Sequence, residues 1–169
     1  IVGDGPDIKD LIELTNKNKL DDKIVFVGKV PWEDVPKYYA ACDVFATAST
    51  SETQGLTVLE AMAASKPVVA IKDESFELVI NNGKDGLLFK NEKEYVECIN
   101  KLYKDKKFYN EIKVAARKKS NLYSSDMYAK NVLKIYNKVI NKDTNVFKKA
   151  FHGVKHILEK SGDKKWKKY

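Results

Sequence analysis

Ser49-Thr50-Ser51-Glu52-Thr53-Gln54-Gly55-Leu56-Thr57-Val58-Leu59-Glu60-Ala61-Met62-Ala63 is the stretch that decides the fold. A polar loop with one carboxylate runs into a predicted helix whose first residue is Gly55. Leu56, Leu59, Met62 and Ala63 recur at three- and four-residue intervals, so that face of the helix is expected to be buried. Ahead of the loop, Asp43-Val44-Phe45-Ala46-Thr47-Ala48 reads as a buried strand, and behind the helix Pro67-Val68-Val69-Ala70-Ile71 reads as another. Strand, loop, helix and strand form a parallel βαβ unit, so the fold class is α/β. In open sheets of this kind ligands bind at the carboxyl ends of the strands. Glu52 stands there.

The chemistry of this loop suits a phosphate-bearing ligand. The main-chain N–H groups of Gly55, Leu56 and Thr57 would point out of the helix N-terminus, where the macrodipole is positive, and glycine allows an anion close to the backbone. Glu60, further along the helix, would reach a neighbouring diol as a two-oxygen acceptor. Glu52 would face whatever the phosphate carries. Diphosphate, diol and a further carboxylate describe a site for a nucleotide sugar.

Glu52 and Glu60 enclose seven residues, with Gly55-Leu56 between them and Glu60-Ala61-Met62-Ala63 closing the run. Val2-Gly3-Asp4-Gly5-Pro6, Val25-Phe26-Val27-Gly28-Lys29-Val30, Tyr39-Ala40-Ala41-Cys42-Asp43-Val44, Pro67-Val68-Val69-Ala70 and Asn82-Gly83-Lys84-Asp85-Gly86-Leu87-Leu88 accompany it in order. This ordered set resembles the retaining glycosyltransferases of family 4, from the first residue to about residue 140. The resemblance implies the GT-B fold, two Rossmann-like domains with the active site in the cleft between them. It implies that Glu60 holds the ribose hydroxyls of the donor and that Glu52 lies beside the transferred sugar as the catalytic carboxylate. Gly55, Leu56 and Thr57 would donate to the diphosphate, and the turn at Gly28, Lys29 and Val30 would hold the base.

Two positions depart from the family pattern, Ala48 in place of proline and Ser65 in place of glycine. Ser65 bears on the end of the central helix, where glycine is the least strained residue. The resemblance also implies a basic pair and an acceptor-binding N-terminal domain upstream of Ile1. The chain opens on Ile1-Val2-Gly3, the end of a strand, and not on methionine, so it reads as part of an enzyme.

Its 169 residues suffice for one domain with a sizeable core, and the composition is that of a water-soluble globular protein. No apolar run is long enough for a transmembrane helix. Cys42 and Cys98 fall on apolar faces of predicted helices and read as buried free thiols suited to a reducing cytoplasm. His152 and His156 lie four apart without a following glutamate, and read as solvent-facing residues rather than a metal site.

Gly3-Asp4-Gly5-Pro6 lacks the third glycine of a dinucleotide fingerprint and reads as a strand-to-helix turn. A helix is predicted from Asp7 to about Lys19, with Ile8, Leu11, Ile12 and Leu14 inward, and a buried strand at Ile24–Val27. Pro31-Trp32-Glu33-Asp34 leads into a short helix carrying Val35, Tyr38, Tyr39 and Cys42, with Trp32 expected to pack. Lys72–Ser75 is expected to be a loop lining the cleft, Glu77 to begin a helix capped by Asn81-Asn82-Gly83, and Gly86–Phe89 to be the last strand. Two apolar stripes, Tyr95, Val96, Ile99, Leu102, Tyr103 and Tyr128, Val132, Ile135, Tyr136, Val139, read as core.

The domain reading is 1–141 for a nucleotide-sugar-binding Rossmann-like domain and 142–169 for a basic helical tail. That tail has nine lysines against three acids, which is nearly the whole of the chain's +7. Phe147, Phe151, Val154, Ile157 and Leu158 share one helical face of it. Such a helix suits an anionic membrane surface, and equally suits packing on an N-terminal domain. Lys164-Lys165-Trp166-Lys167-Lys168-Tyr169 adds interfacial aromatics. Nothing in the body of the chain resembles a reader of nucleic-acid bases.

The expected function is transfer of a hexose, with glucose from UDP-glucose as the first choice, to a hydroxyl acceptor with retention. No Asp-x-Asp motif occurs in the sequence, so the donor is expected to be used without a metal, and no cofactor is expected. Thr50–Leu56 most resembles bacterial enzymes that glucosylate diacylglycerol, and the basic tail suits a lipid acceptor, and so a membrane glycolipid as the product, at the cytoplasmic face of a membrane. A glycoside hydrolase using Glu52 and Glu60 is disfavoured, because such a pair must flank the bond from opposite sides. The alternative from another class is a non-catalytic module that binds nucleotide or membrane.

Overall fold

The computed structural model describes residues 1–50 and 54–141. Ile1–Leu122 form one compact unit, and the described residues from Tyr123 onward belong to a second. Glu52, His152, His156 and the tail over 142–169 lie outside the described residues.

The first unit is built on a three-stranded parallel sheet of order β1-β2-β3, from Phe45–Thr47, Val68–Ile71 and Leu87–Phe89. Phe45, Ala46 and Thr47 are opposite Val68, Val69 and Ala70, and Val69, Ala70 and Ile71 are opposite Leu87, Leu88 and Phe89. Val68 and Ala70 face a cluster with Val58, Ala61 and Met62 of α3 (Leu56–Ala63) and Phe76 and Val79 of α4 (Glu74–Val79). Val69 faces the other way, onto Leu102 of α5 (Glu92–Lys104) and Ile112 of α6 (Lys106–Ser120). Helices on both faces explain the unbroken apolar run of β2. The expected α/β class, a parallel sheet flanked by helices, is what the structure shows.

Three helices start where sequence chemistry dictates. Asp73, Asn91 and Asp105 are extended, and each accepts a hydrogen bond from a main-chain N–H of the following first turn, those of Ser75, Glu94 and Phe108. The Asp73 cap starts α4 at Glu74, so the second half of the stretch expected to be a cleft-lining loop, Glu74 and Ser75, is the beginning of a helix. α4 also ends before Asn81. The Asn81–Gly86 segment is a turn of its own, closed by Asp85, which accepts from Asn81 N (2.7 Å) and Asn81 Nδ2 (2.9 Å). Asp85 is buried, and Lys119 Nζ lies 3.8 Å from its Oδ2.

The C-terminus of α3 forms a Schellman motif, with Ser65 N donating to Met62 O and Lys66 N to Ala61 O, both 2.9 Å. Ser65 takes φ +59°, so the departure from glycine leaves the motif intact at the cost of a left-handed backbone. Helix α1 (Ile8–Lys17) ends the same way on Lys19 at φ +56°.

Several expected core positions are not core. In α3 the buried residues are Val58, Ala61 and Met62, while Leu56 is 57% exposed and Ala63 is exposed. The helix is apolar on most sides, so periodicity alone could not fix its rotation. In α1 Thr15 is the buried residue, and Leu11, Ile12 and Leu14 are exposed. The Ile24–Val27 segment is not a buried strand: Val25 is exposed, and the pairing is a short parallel bridge of Val2 with Gly28. Among the described residues its main-chain neighbour is Ile1–Gly3, and it lies outside the three-stranded sheet whose helices bury both faces of β2. Trp32 does not pack, being 80% exposed on the turn before α2 (Val35–Ala41). Val96 and Tyr103 lie outside the buried stripe of α5. Tyr128, Ile135, Tyr136 and Val139, on the helix over 125–141, are likewise exposed. Among the described residues of its unit, that helix is the one long element.

Two stability predictions follow from the backbone. A Cβ at Gly86 would lie 2.9 Å from Ile80 Cγ2, inside the core. Gly86→Ala is therefore expected to cost about 1–3 kcal/mol of unfolding free energy in urea titration. Ser65→Gly relieves the left-handed strain and is expected to add about 1 kcal/mol in the same measurement.

Candidate functional site

The carboxyl ends of the three strands open onto a cavity of about 430 Å³ lined by Thr47, Ala48, Ile71, Phe89 and Tyr95, among others. The N-terminus of α3 follows β1 in the chain, and its N-cap is Gly55, with φ 60° and ψ 35°. Gly55 is thus the cap rather than the first helical residue. Leu56, Thr57 and Val58 occupy the first turn, where main-chain N–H groups have no partner four residues back. Gly55 is buried, and a Cβ on it would meet Phe76 Cδ1 at 3.4 Å.

Glu60 lies one turn further on, with its side chain exposed. Its Oε2 accepts a hydrogen bond from the Tyr39 hydroxyl at 2.9 Å. Tyr39 belongs to α2, and its ring packs at a tilt on Phe45 of β1, centroids 5.5 Å apart. α2 is fastened to the other end of α3 as well, because Lys66 Nζ donates to Ala40 O at 2.8 Å. The Tyr39–Glu60 contact was not foreseen from sequence. Twenty-one residues separate the pair, and no local spacing rule covers that distance.

Gly28 takes φ +77°, and its carbonyl accepts from Gly3 N at 2.9 Å. Lys29 is exposed and Val30 half-buried. Val30 runs directly into the Pro31–Asp34 turn, closed by Asp34 N donating to Pro31 O at 3.0 Å, and then into α2. The Pro31–Asp34 turn and α2 therefore connect the Gly28–Val30 turn along the chain to Tyr39, which contacts the Glu60 carboxylate. Glu52 lies outside the described residues, so the second carboxylate has no geometry here.

Cys42 ends α2, and its Sγ donates to Tyr39 O at 3.2 Å. Cys42 and Cys98 are half-buried free thiols rather than fully buried ones. Burial pushes both thiols above the usual cysteine range, for Cys42 against the opposing pull of Lys66. They are accordingly protonated near neutral pH. Tyr109, whose hydroxyl donates to Asp43 O at 2.9 Å, is raised by burial in the same way.

The family model described as "Glycosyl transferases group 1" matches residues 1–119. This chain belongs to the group 1 glycosyl transferases. Among relatives of the transferase, the alpha-monoglucosyldiacylglycerol synthase of Acholeplasma laidlawii is 34% identical over 149 residues, covering 88% of this chain and 37% of that protein. The enzyme of the same name from Streptococcus pneumoniae is 36% identical over 99 residues, 59% of this chain and 22% of that protein. Anabaena HepE, solved in complex with UDP and glucose, superposes with a TM-score of 0.73 at 26% identity, over 81% of this chain and 39% of that one. The chain thus spans less than two fifths of each of these proteins. Gly28–Val30, Glu52, Gly55–Thr57 and Glu60 all fall inside the span matched by the family model.

The conformation of Gly55 gives a test of how the transferase shapes this end of α3. The Phe76 contact is ordinary, so the penalty for Gly55→Ala comes from the left-handed backbone and is expected at about 1–2 kcal/mol in urea unfolding. Gly55→Asn, a residue that tolerates this conformation better, is expected to lose less.

Proposed function

We propose that this chain is the donor-binding part of a retaining hexosyltransferase that moves glucose from UDP-glucose to a hydroxyl of a membrane lipid, giving a membrane glycolipid. The observation that carries the reading is the Glu60 carboxylate, exposed and fixed one turn behind the open N-terminus of α3. Its two oxygens suit the ribose diol. The first-turn amides and the positive helix end suit the diphosphate. The same groups would stabilise charge on the departing diphosphate in the transition state, where electrostatic stabilisation has most effect. Glu52 is assigned to the transferred sugar, and Gly28, Lys29 and Val30 to the base.

The relatives support the donor and acceptor classes by their names, a glucosylated diacylglycerol in two of them and bound UDP with glucose in HepE. The product of the two synthases is alpha-linked by name, and an alpha product from an alpha-linked donor is retention. No helix among the described residues is long and apolar enough to cross a membrane. The lysine-rich tail is assigned to contact with an anionic cytoplasmic membrane face, and reaction without a metal or cofactor is part of the proposal.

Calorimetric titration of the protein at its natural full length with UDP, GDP and ADP, with and without magnesium, tests the donor site. UDP is expected to bind equally with and without the metal, and Glu60→Ala to weaken it about 10- to 100-fold, the range for losing hydrogen bonds to a charged group. Unchanged UDP affinity in Glu60→Ala would overturn the assignment. Glu52→Ala is expected to reduce kcat by at least about 100-fold, with little change in nucleotide affinity. A fall confined to affinity would remove its catalytic role.

A further inference from the structure

We infer that Tyr39 is a positioning residue for donor binding, which holds the Glu60 carboxylate in the orientation that receives the ribose diol. The inference rests on the proposed function and adds a residue to it. The Tyr39 hydroxyl donates to Oε2 of Glu60 at 2.9 Å, within hydrogen-bond range. A carboxylate has two oxygens and about four acceptor positions. With Oε2 engaged by Tyr39, Oε1 is oriented for a diol.

An exposed glutamate on a helix normally samples many rotamers, and ordering it on binding costs affinity. The anchor on which Glu60 is ordered is itself fixed. The Tyr39 ring leans on Phe45, with an interplanar angle of 59°, and Phe45 N donates to Pro67 O at 3.0 Å within the sheet. The main chain of α2 is held beside it by Lys66 at Ala40 O and by Cys42 Sγ at Tyr39 O. The phenol therefore transmits the position of the sheet to the carboxylate.

A purely structural tyrosine would tie α2 to α3 and do nothing for the ligand. The two roles separate in Tyr39→Phe, which keeps the ring on Phe45 and removes the hydroxyl. Binding of UDP and of 2′,3′-dideoxy-UDP is measured by calorimetry for the wild type, Tyr39→Phe, Glu60→Ala and the double variant at natural full length, with thermal unfolding of each. Tyr39→Phe is expected to weaken UDP about 3- to 10-fold and to leave dideoxy-UDP unchanged. The double variant is expected to bind UDP no more weakly than Glu60→Ala, because without the carboxylate the hydroxyl has nothing to position.

Three results would overturn the inference, and they differ in what else falls. If Tyr39→Phe binds UDP like the wild type while Glu60→Ala is weakened, Tyr39 has no positioning role and the proposed donor site stands. If Tyr39→Phe weakens UDP and dideoxy-UDP equally, its role is structural. If Glu60→Ala does not weaken UDP, the donor-site assignment falls and the inference with it.

Discussion

Val68, Val69 and Ala70 have no exposed surface, and the strand they form pairs with β1 on one side and β3 on the other. Everything that positions the candidate site depends on that doubly covered strand. Val68 and Ala70 give α3 its floor, and Val69 gives α5 and α6 theirs. Each fully buried valine contributes about 1.5–3 kcal/mol, comparable with the strain and capping terms elsewhere in the unit. The rotation of α3 over β2 sends Val58, Ala61 and Met62 down and leaves Glu60 pointing out. A helix rotated to bury Leu56 and Ala63 instead would carry Glu60 to a different bearing. The carboxylate is thus aimed by apolar packing on the other side of its own helix.

The parts of this arrangement legible in the sequence are those whose signal is local. β2 is an apolar run between a proline and a charged loop, and the Gly55 turn is marked by a residue that tolerates positive φ. Asp73 is equally local, since an aspartate followed by acidic residues in the first turn, Glu74 and Glu77, is a helix-start signal. What was not legible is which of several apolar faces meets a partner. α1 shows a clean amphipathic pattern, yet Leu11, Ile12 and Leu14 are exposed. Periodicity reports that a face is apolar; it does not report what covers it. Trp32 fails for the same reason: an indole beside a turn packs only where a neighbouring element arrives to receive it.

α2 illustrates the opposite case, in which a short element has more structural consequence than its sequence announces. Tyr38 and Tyr39 are adjacent and chemically identical, and about 100° of helical rotation separates them. Tyr38 is exposed, whereas Tyr39 turns onto Phe45 and reaches Glu60. Only tertiary packing distinguishes them. Because α2 follows the Gly28–Val30 turn after only the Pro31–Asp34 turn, the same seven-residue helix links that part of the chain to the carboxylate.

The N-terminus of α3 differs from those of α4, α5 and α6 in a way that has a measurable energetic scale. The latter three are closed by their own aspartate or asparagine in an extended conformation, which is the geometry a side-chain cap requires. Gly55 has no side chain and sits in the left-handed region, where an Asx residue would not adopt that capping geometry. Replacing a capping side chain by glycine forfeits only a few tenths of a kcal/mol. A cap supplied by an aspartate would instead occupy those amides and place a negative charge beside them, opposing any incoming anion. Leaving α3 without a side-chain cap from its own N-cap residue, as α1 and α2 also are, costs little stability and places no negative charge from position 55 beside the first-turn amides.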